Sequence, residues 1–358
     1  MSTDIKQLQA ALAAVKDPDL GRDLESLGWI KDIQTGAGGT VSLTLQLASP
    51  ADPLADRFEE ECRAALIEVP GVEEVKIDRS SSVTAGRVDP GGIAPGVKNF
   101  IAVGSGKGGV GKSTVAANLA VGLAASGARV GLLDADVYGP SVPTIMGVHD
   151  RPDVNDQSLA PVSAHGISLM SIGFLIDPDQ PVVWRGPMVH KMIQTFLAQV
   201  EWGELDYLVI DMPPGTGDIQ LTIGQSVPLT GAVIVSTPQD VALADAVKCY
   251  QTFQQMSTHV FGVVENMSSF ICSNCSTRHE IFGHGGAAGM AEKLGLPFLG
   301  EVPLETVTRS DSDSGVPVTI AHPESATATA FREIAGRVAR QVIIRNHQAP
   351  IPIKLTVS

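Results

Sequence analysis

A chain of 358 residues with 44% hydrophobic and 18% charged residues has enough material for one sizeable core and a smaller companion domain, and a mean hydropathy of +0.16 excludes general disorder. The formal charge of -14 and a pI near 4.9 argue against broad binding to nucleic acid or to an anionic membrane, either of which needs a field of the opposite sign. Four cysteines cannot build a disulfide framework, residues 1–10 lack the basic start and apolar stretch of a signal peptide, and no uncharged apolar run reaches the roughly 20 residues of a membrane span. The expectation is a cytoplasmic protein with reduced thiols and with neither nucleic acid nor membrane as a partner.

Residues 1–78 read as a small α/β domain. Ile5, Leu8, Ala11, Leu12 and Val15 recur at helical spacing up to Asp17-Pro18. Gly28–Thr35 and Thr40–Leu47 flank Gly36-Ala37-Gly38-Gly39, and Val41, Leu43, Leu45 and Leu47 alternate as in a half-buried strand, so a hairpin is expected. Pro53–Val69 reads as a second helix closed by Pro70-Gly71, and Val72–Asp78 as a third strand, giving the order α-β-β-α-β. Residues 1–80 hold 8 basic and 15 acidic side chains, which reads as a solvated acidic surface, with an acidic docking face as the alternative. Residues 79–97 contain Ser80-Ser81-Ser82, Pro90-Gly91-Gly92 and Pro95-Gly96 and read as a flexible linker.

Residues 98–346 alternate apolar strands with helical stretches: Phe100–Val103, Val130–Asp134, Ile167–Ile172, Tyr207–Asp211, Ala232–Ser236, Gly262–Asn266 and Phe298–Val302. Continuous apolar runs of this kind are buried on both faces, as in a mostly parallel sheet wrapped by helices. Residues 347–358 carry Pro350 and Pro352, lack a basic apolar face, and read as a tail rather than a membrane-targeting helix.

Gly106-Lys107-Gly108-Gly109-Val110-Gly111-Lys112-Ser113-Thr114 satisfies G-x-x-x-x-G-K-[ST] and stands between a predicted strand and the helical pattern of Val115, Leu119 and Leu123. Glycines let several backbone N–H groups face one anion, the helix N-terminus adds its positive end, Lys112 neutralises the β- and γ-phosphates, and Ser113 is a candidate Mg²⁺ ligand. Leu208-Val209-Ile210-Asp211 has the Walker B form, so Asp211 is a second candidate Mg²⁺ ligand. Asp134 and Asp136 end another strand ahead of Tyr138-Gly139-Pro140, a turn expected to move with the γ-phosphate. The predicted fold is therefore a P-loop NTPase preceded by a small α-β-β-α-β domain.

Lys107, inside the loop, resembles the signature lysine of the deviant Walker A ATPases, in which such a lysine crosses a dimer interface to the partner's nucleotide. That resemblance implies a nucleotide-controlled homodimer, with Asp136 matching the switch aspartate that positions or activates the attacking water.

Cys272-Ser273-Asn274-Cys275 is a C-x-x-C, two thiolates able to hold one edge of a soft metal site. His279 and His284 follow, so an intrachain Cys-Cys-His-His zinc site is one alternative, although three residues between Cys275 and His279 fall far short of a zinc-finger loop. Two copies of the motif at a two-fold axis would supply four thiolates, which suit an iron-sulfur cluster or a structural zinc. Cys62 and Cys249 lie in helical patterns and read as buried thiols.

Together with residues 183–188 (V-W-R-G-P-M), Asp211-Met212-Pro213-Pro214-Gly215-Thr216-Gly217-Asp218 and Glu265-Asn266-Met267-Ser268, these motifs resemble the Mrp/ApbC family of iron-sulfur carrier ATPases. Val15-Lys16-Asp17-Pro18-Asp19-Leu20-Gly21 and Ser26-Leu27-Gly28 resemble the small iron-sulfur assembly domain fused ahead of bacterial members. The resemblance implies ATP-coupled carriage of a four-iron, four-sulfur cluster shared by Cys272 and Cys275 of two protomers. It implies further a donor or scaffold protein and apo-protein recipients, Asp134 within the nucleotide site, and Asn266 at the adenine-recognition position. A positioning or partition ATPase similar to MinD and ParA, with structural zinc at the C-x-x-C, is the alternative.

Overall fold

Apolar residues at alternate or continuous positions set the strands of two separate sheets in the computed structural model, which describes residues 4–86, 93–148, 150–153, 158–175, 186–272, 274–275, 277–305 and 314–348. The chain divides into two compact units, residues 1–84 with 339–358, and residues 85–338. Residues 87–92 of the expected linker, residues 183–185 of the family-like stretch, Ser273, and residues 349–358 of the expected tail lie outside the described residues.

The first unit has the expected order: α1 (Ile5–Leu12), β1 (Ile30–Thr35), β2 (Thr40–Leu47), α2 (Ala55–Ile67) and β3 (Glu74–Ser81). β2 runs antiparallel to β1 and parallel to β3. Its alternating burial follows from Val41, Leu43, Leu45 and Leu47, which face a core with Leu8, Leu12, Phe58 and Leu66. Two of the differences from the sequence reading have a visible cause. β3 continues through Arg79 to Ser81 because its register with β2 extends to Leu47 and because Arg79 is anchored by Asp56 at 2.7 Å and Glu59 at 2.5 Å. Residues 339–346, expected in the larger domain, belong to the first unit. Arg340 is buried there against Asp17, against Asp19 at 2.7 Å and against Asp52 at 3.4 Å, and Ile343 joins the core.

The second unit carries a sheet in the order β11-β10-β9-β4-β8-β5-β7-β6, with β12 paired to β10. Its strands are β4 (Phe100–Gly104), β5 (Val130–Asp134), β6 (Val162–Ala164), β7 (Ile167–Ser171), β8 (Tyr207–Asp211), β9 (Gly231–Ser236), β10 (Val260–Ile271), β11 (Arg278–His279) and β12 (Phe298–Leu304). All pairings are parallel except β6 with β7 and β10 with β11. β4, β5, β8 and β9 are buried along their whole length, as their unbroken apolar runs require. Helices α3 (Lys112–Ala125), α4 (Val142–Ile145), α5 (Gly186–Gln199), α6 (Asp218–Ser226), α7 (Asp240–Gln255) and α8 (Gly286–Leu294) connect the strands, and the helix Ala326–Gln348 follows β12 and a short helix at Val318–Ala321. β10 is seven residues longer than expected, two at its start and five at its end, because both edges find partners: β9 at residues 260–265 and β12 and β11 up to residue 271. Among the described residues no helix is long and apolar enough to cross a membrane.

Candidate nucleotide site and cysteine hairpin

Parallel strands bring their carboxyl ends to one edge of a sheet, where ligands of such folds bind. Asp134 of β5 is the register partner of Asp211 on β8 and of Ser171 on β7, and Asp211 is also opposite Val103 of β4. The phosphate loop leaves β4 at this edge and runs into α3, whose first residue is Lys112.

Two glycines of the loop have no substitute. A Cβ on Gly106 would lie 1.9 Å from the Asp245 carbonyl oxygen in α7, and one on Gly111, at φ +80°, would lie 2.1 Å from Asn266 Nδ2. The loop is thus pressed against backbone on one side and Asn266 on the other. Lys107, Gly108 and Gly109 are exposed, and with Lys112, Ser113, Thr114 and Asp136 they line a cavity of about 330 Å³. Val110 is buried and its carbonyl accepts a hydrogen bond from Asn266 Nδ2 at 2.9 Å.

Lys112 is buried among acids: its Nζ lies 2.6 Å from Asp211 Oδ1, 3.4 Å from Asp136 Oδ2 and 3.3 Å from Ser113 Oγ. Burial acts to lower the Lys112 pKa, but Asp211, Asp136 and Asp134 outweigh it and hold the ammonium above its usual value. Burial, with the neighbouring Asp211 charge, pushes the Asp134 carboxyl up to about 8, and burial raises Asp211 also. The Asp136 and Asp211 carboxylates around one ammonium leave excess negative charge in a dry place, and Asp211 Oδ2 is buried without a hydrogen-bond partner. An orphaned carboxylate oxygen beside Ser113 fits a hard divalent cation, so Asp211 and Ser113 are the residues that would hold Mg²⁺.

Asp134 does other work than its expected place in the nucleotide set suggests. Its oxygens accept from Ser171 Oγ at 2.9 Å, Asp136 N at 3.1 Å and Val142 N at 3.3 Å, so it ties the turn after β5 to β7. Asp136 in turn accepts from Tyr138 N at 3.2 Å, and Tyr138 is 68% exposed. The loop after β8 docks on the phosphate loop through Gly215 N to Ser105 O at 3.0 Å. Sequence reading missed Ser171 and the Asn266 to Val110 bond; a polar residue closing an apolar strand beside an acid-ended one is the available signal for the first.

Cys272 and Cys275 lie between β10 and β11, which pair antiparallel. Phe270 faces His279, Ile271 faces Arg278, and Cys272 N donates to Thr277 O at 3.0 Å. Cys272 is half-buried and Cys275 exposed; the Thr277 hydroxyl, 3.1 Å from Cys275 Sγ, lowers that thiol's pKa. His279 packs on the Phe270 ring and His284 bonds Glu301, so the intrachain set of two cysteines and two histidines does not assemble among the described residues. Cys62 and Cys249 are buried, as their helical patterns suggested, and burial pushes both thiols up to about 12.

Residues 96–339 match the family described as NUBPL iron-transfer P-loop NTPase, and residues 5–77 match the iron-sulfur cluster assembly protein family. The chain is 51% identical over 338 residues to an iron-sulfur cluster carrier protein of Synechocystis sp., covering 92% of this chain and 96% of that one. It is 49% identical over 340 residues to the carrier protein of Deinococcus radiodurans, covering 94% and 95%. Among solved structures, a nucleotide-binding protein in complex with ADP from Archaeoglobus fulgidus superposes with a TM-score of 0.57 at 45% identity, covering 64% of this chain and 90% of that one. The cell-division ATPase MinD of Pyrococcus furiosus shares the fold, with a TM-score of 0.52 at 23% identity over 68% of this chain and 98% of that one. With a phosphate loop, an acid-ended parallel sheet and a two-cysteine hairpin in one chain, and with relatives matched along nearly their whole length, this protein belongs to the family of iron-sulfur cluster carrier proteins built on the NUBPL-type P-loop NTPase.

Proposed function

We propose that this chain is an ATP-hydrolysing carrier that holds a four-iron, four-sulfur cluster on Cys272 and Cys275 of two protomers, receives it from a donor or scaffold protein, and releases it to apo-proteins. The supporting observation is the path of β10. Asn266, on that strand, bonds the phosphate-loop carbonyl of Val110, and the same strand ends at Ile271, one residue before Cys272. A strand that touches the phosphate loop at one point and presents the thiols at its end links occupancy of one site to the geometry of the other.

In this reading Lys112 and the loop N–H groups bind the β- and γ-phosphates, Asp136 orients the attacking water, and Lys107 reaches the nucleotide of the second protomer. Ser113 and Asp211 are the residues that would hold Mg²⁺, which when bound would supply positive charge at the phosphates. Each chain offers two closely spaced thiols and a tetrahedral thiolate set needs four, so the cluster requires the homodimer. An exposed half-site in each chain suits a cargo that must leave.

The test is anaerobic reconstitution of the full chain with ferrous iron and sulfide, read by absorbance and electron paramagnetic resonance. Cys272→Ala and Cys275→Ala are expected to lose bound sulfide and the cluster's absorbance while keeping nucleotide binding, and Cys62→Ala and Cys249→Ala to retain the cluster. One tightly held zinc per chain ligated by Cys272 and Cys275, unchanged by dimerisation, refutes the proposal.

A further inference from the structure

Next to the cysteine hairpin, β10 and β12 set Glu265 and Glu301 opposite each other as register partners of a parallel pair. Partners leave the sheet on one face, and two carboxylates so placed repel. The repulsion is relieved by cations and donors on several sides. Arg278 donates to Glu301 Oε1 at 3.1 Å, and His284 Nε2 lies 2.5 Å from Glu301 Oε2. Glu265 is fully buried, and its two oxygens accept from Gly285 N at 2.9 Å and Ala287 N at 2.7 Å, which fixes the carboxylate at the start of α8. One ligand atom each from Glu265, His284 and Glu301 falls within 4.8 Å of the other two, the only such triad of potential metal ligands among the described residues.

We propose that Glu265, His284 and Glu301 form a mononuclear site for a divalent transition-metal ion, distinct from the two thiols. One imidazole with two carboxylates suits zinc, cobalt or ferrous ion, whereas Mg²⁺ and Ca²⁺ take all-oxygen shells. Bonds of about 2.0–2.2 Å around one ion separate adjacent ligand atoms by roughly 3 Å, so the ion replaces the short His284 to Glu301 hydrogen bond after a small opening of that pair. Each Glu265 oxygen keeps a lone pair beyond its backbone donor. Glu280 Oε1 stands 4.0 Å from His284 Nδ1, the ring nitrogen turned away from Glu301. The His284 and Glu301 side chains are each 35% exposed, which leaves the ion a way in. The site stands apart from the carrier reading, since it uses nitrogen and oxygen ligands and survives loss of both thiols.

Co²⁺ titration of the full chain carrying Cys272→Ala and Cys275→Ala, followed by visible absorbance, tests it. The expected result is saturable binding of one ion per chain, with ligand-field bands and no thiolate-to-cobalt charge transfer. His284→Ala and Glu301→Gln, each added separately to that background, are expected to weaken binding by about 10- to 100-fold. Glu301→Gln is nearly isosteric and half-exposed, so it keeps the test valid if His284→Ala unfolds. Absence of saturable Co²⁺ binding in the parent, or unchanged affinity in the folded variants, overturns the proposal.

Discussion

Lys112, Asp134, Asp136 and Asp211 are each at most 7% exposed, whereas Cys275 stands in solvent at the turn of a two-residue hairpin strand. The first region is held by strand register: Asp134, Asp211 and Ser171 close three adjacent strands, and each carboxylate is fixed by backbone or side-chain donors in a dry setting where charge interactions are strong. Among the described residues, the second is held by the short β10–β11 pairing, the backbone bond from Cys272 to Thr277 and a hydroxyl beside Cys275. A preorganised, buried site can meet the same ligand in every cycle at no cost of rearrangement. An exposed pair of thiols on a lightly tethered turn can meet different proteins.

The largest expected effect breaks the buried side of this contrast. Lys112→Ala removes the ammonium paired with Asp136 and Asp211, and ATP turnover should fall by about 10³-fold or more in a phosphate-release assay. Full activity in that variant would falsify the nucleotide-site assignment. Gly106→Ala places a methyl 1.9 Å from the Asp245 carbonyl, so the loop must shift by about an ångström and turnover should drop about 10²-fold. Wild-type turnover in Gly106→Ala would mean that the loop is not clamped by α7.

The same contrast has a pH signature. Burial, with the Asp211 charge beside it, raises Asp134 from an ordinary value of 3.8 to about 8, so between about pH 4 and 8 the folded chain holds a proton that the unfolded chain releases. The Asp134 contribution to stability is therefore fully present below about pH 4 and lost as pH rises through about 8. Denaturant titrations at pH 5 and pH 8 should show a shallower pH dependence in Asp134→Asn than in the parent; an unchanged slope places the proton elsewhere. On the exposed side, maleimide should label Cys275 first and Cys62 and Cys249 only after unfolding, because burial holds the latter two thiols near 12. The smallest effect is that of Thr277→Val, which removes the hydroxyl beside Cys275 Sγ and should slow Cys275 labelling by about threefold. Labelling of Cys249 in the native chain at the Cys275 rate would erase the contrast.

Local chemistry made much of this legible. Apolar runs with period two or none marked the strands of both units, and the loop 106–114 announced a phosphate site because glycine, lysine and hydroxyl must follow one another there in chain order. The Cys272 and Cys275 pair was legible for the same reason, since the ability of two thiols to share one ligand depends on local spacing. Strand ends were less so: β3 and β10 run past their expected limits because Arg79 finds Asp56 and Glu59, and because β10 finds β12 and β11, which no local pattern states.

By itself the sequence determined the order of the elements, the phosphate loop and the thiol pair, since each depends on residues a few positions apart. Only the tertiary structure decided that Arg340 would be buried against Asp17, Asp19 and Asp52, that Asn266 would grip Val110, that Asp134 would serve Ser171 and Val142, and that Glu265 would face Glu301. Those partners are separated by 8 to 323 residues of chain. They meet through sheet register and core packing, and periodicity along one segment carries no record of which neighbour its polar ends will find.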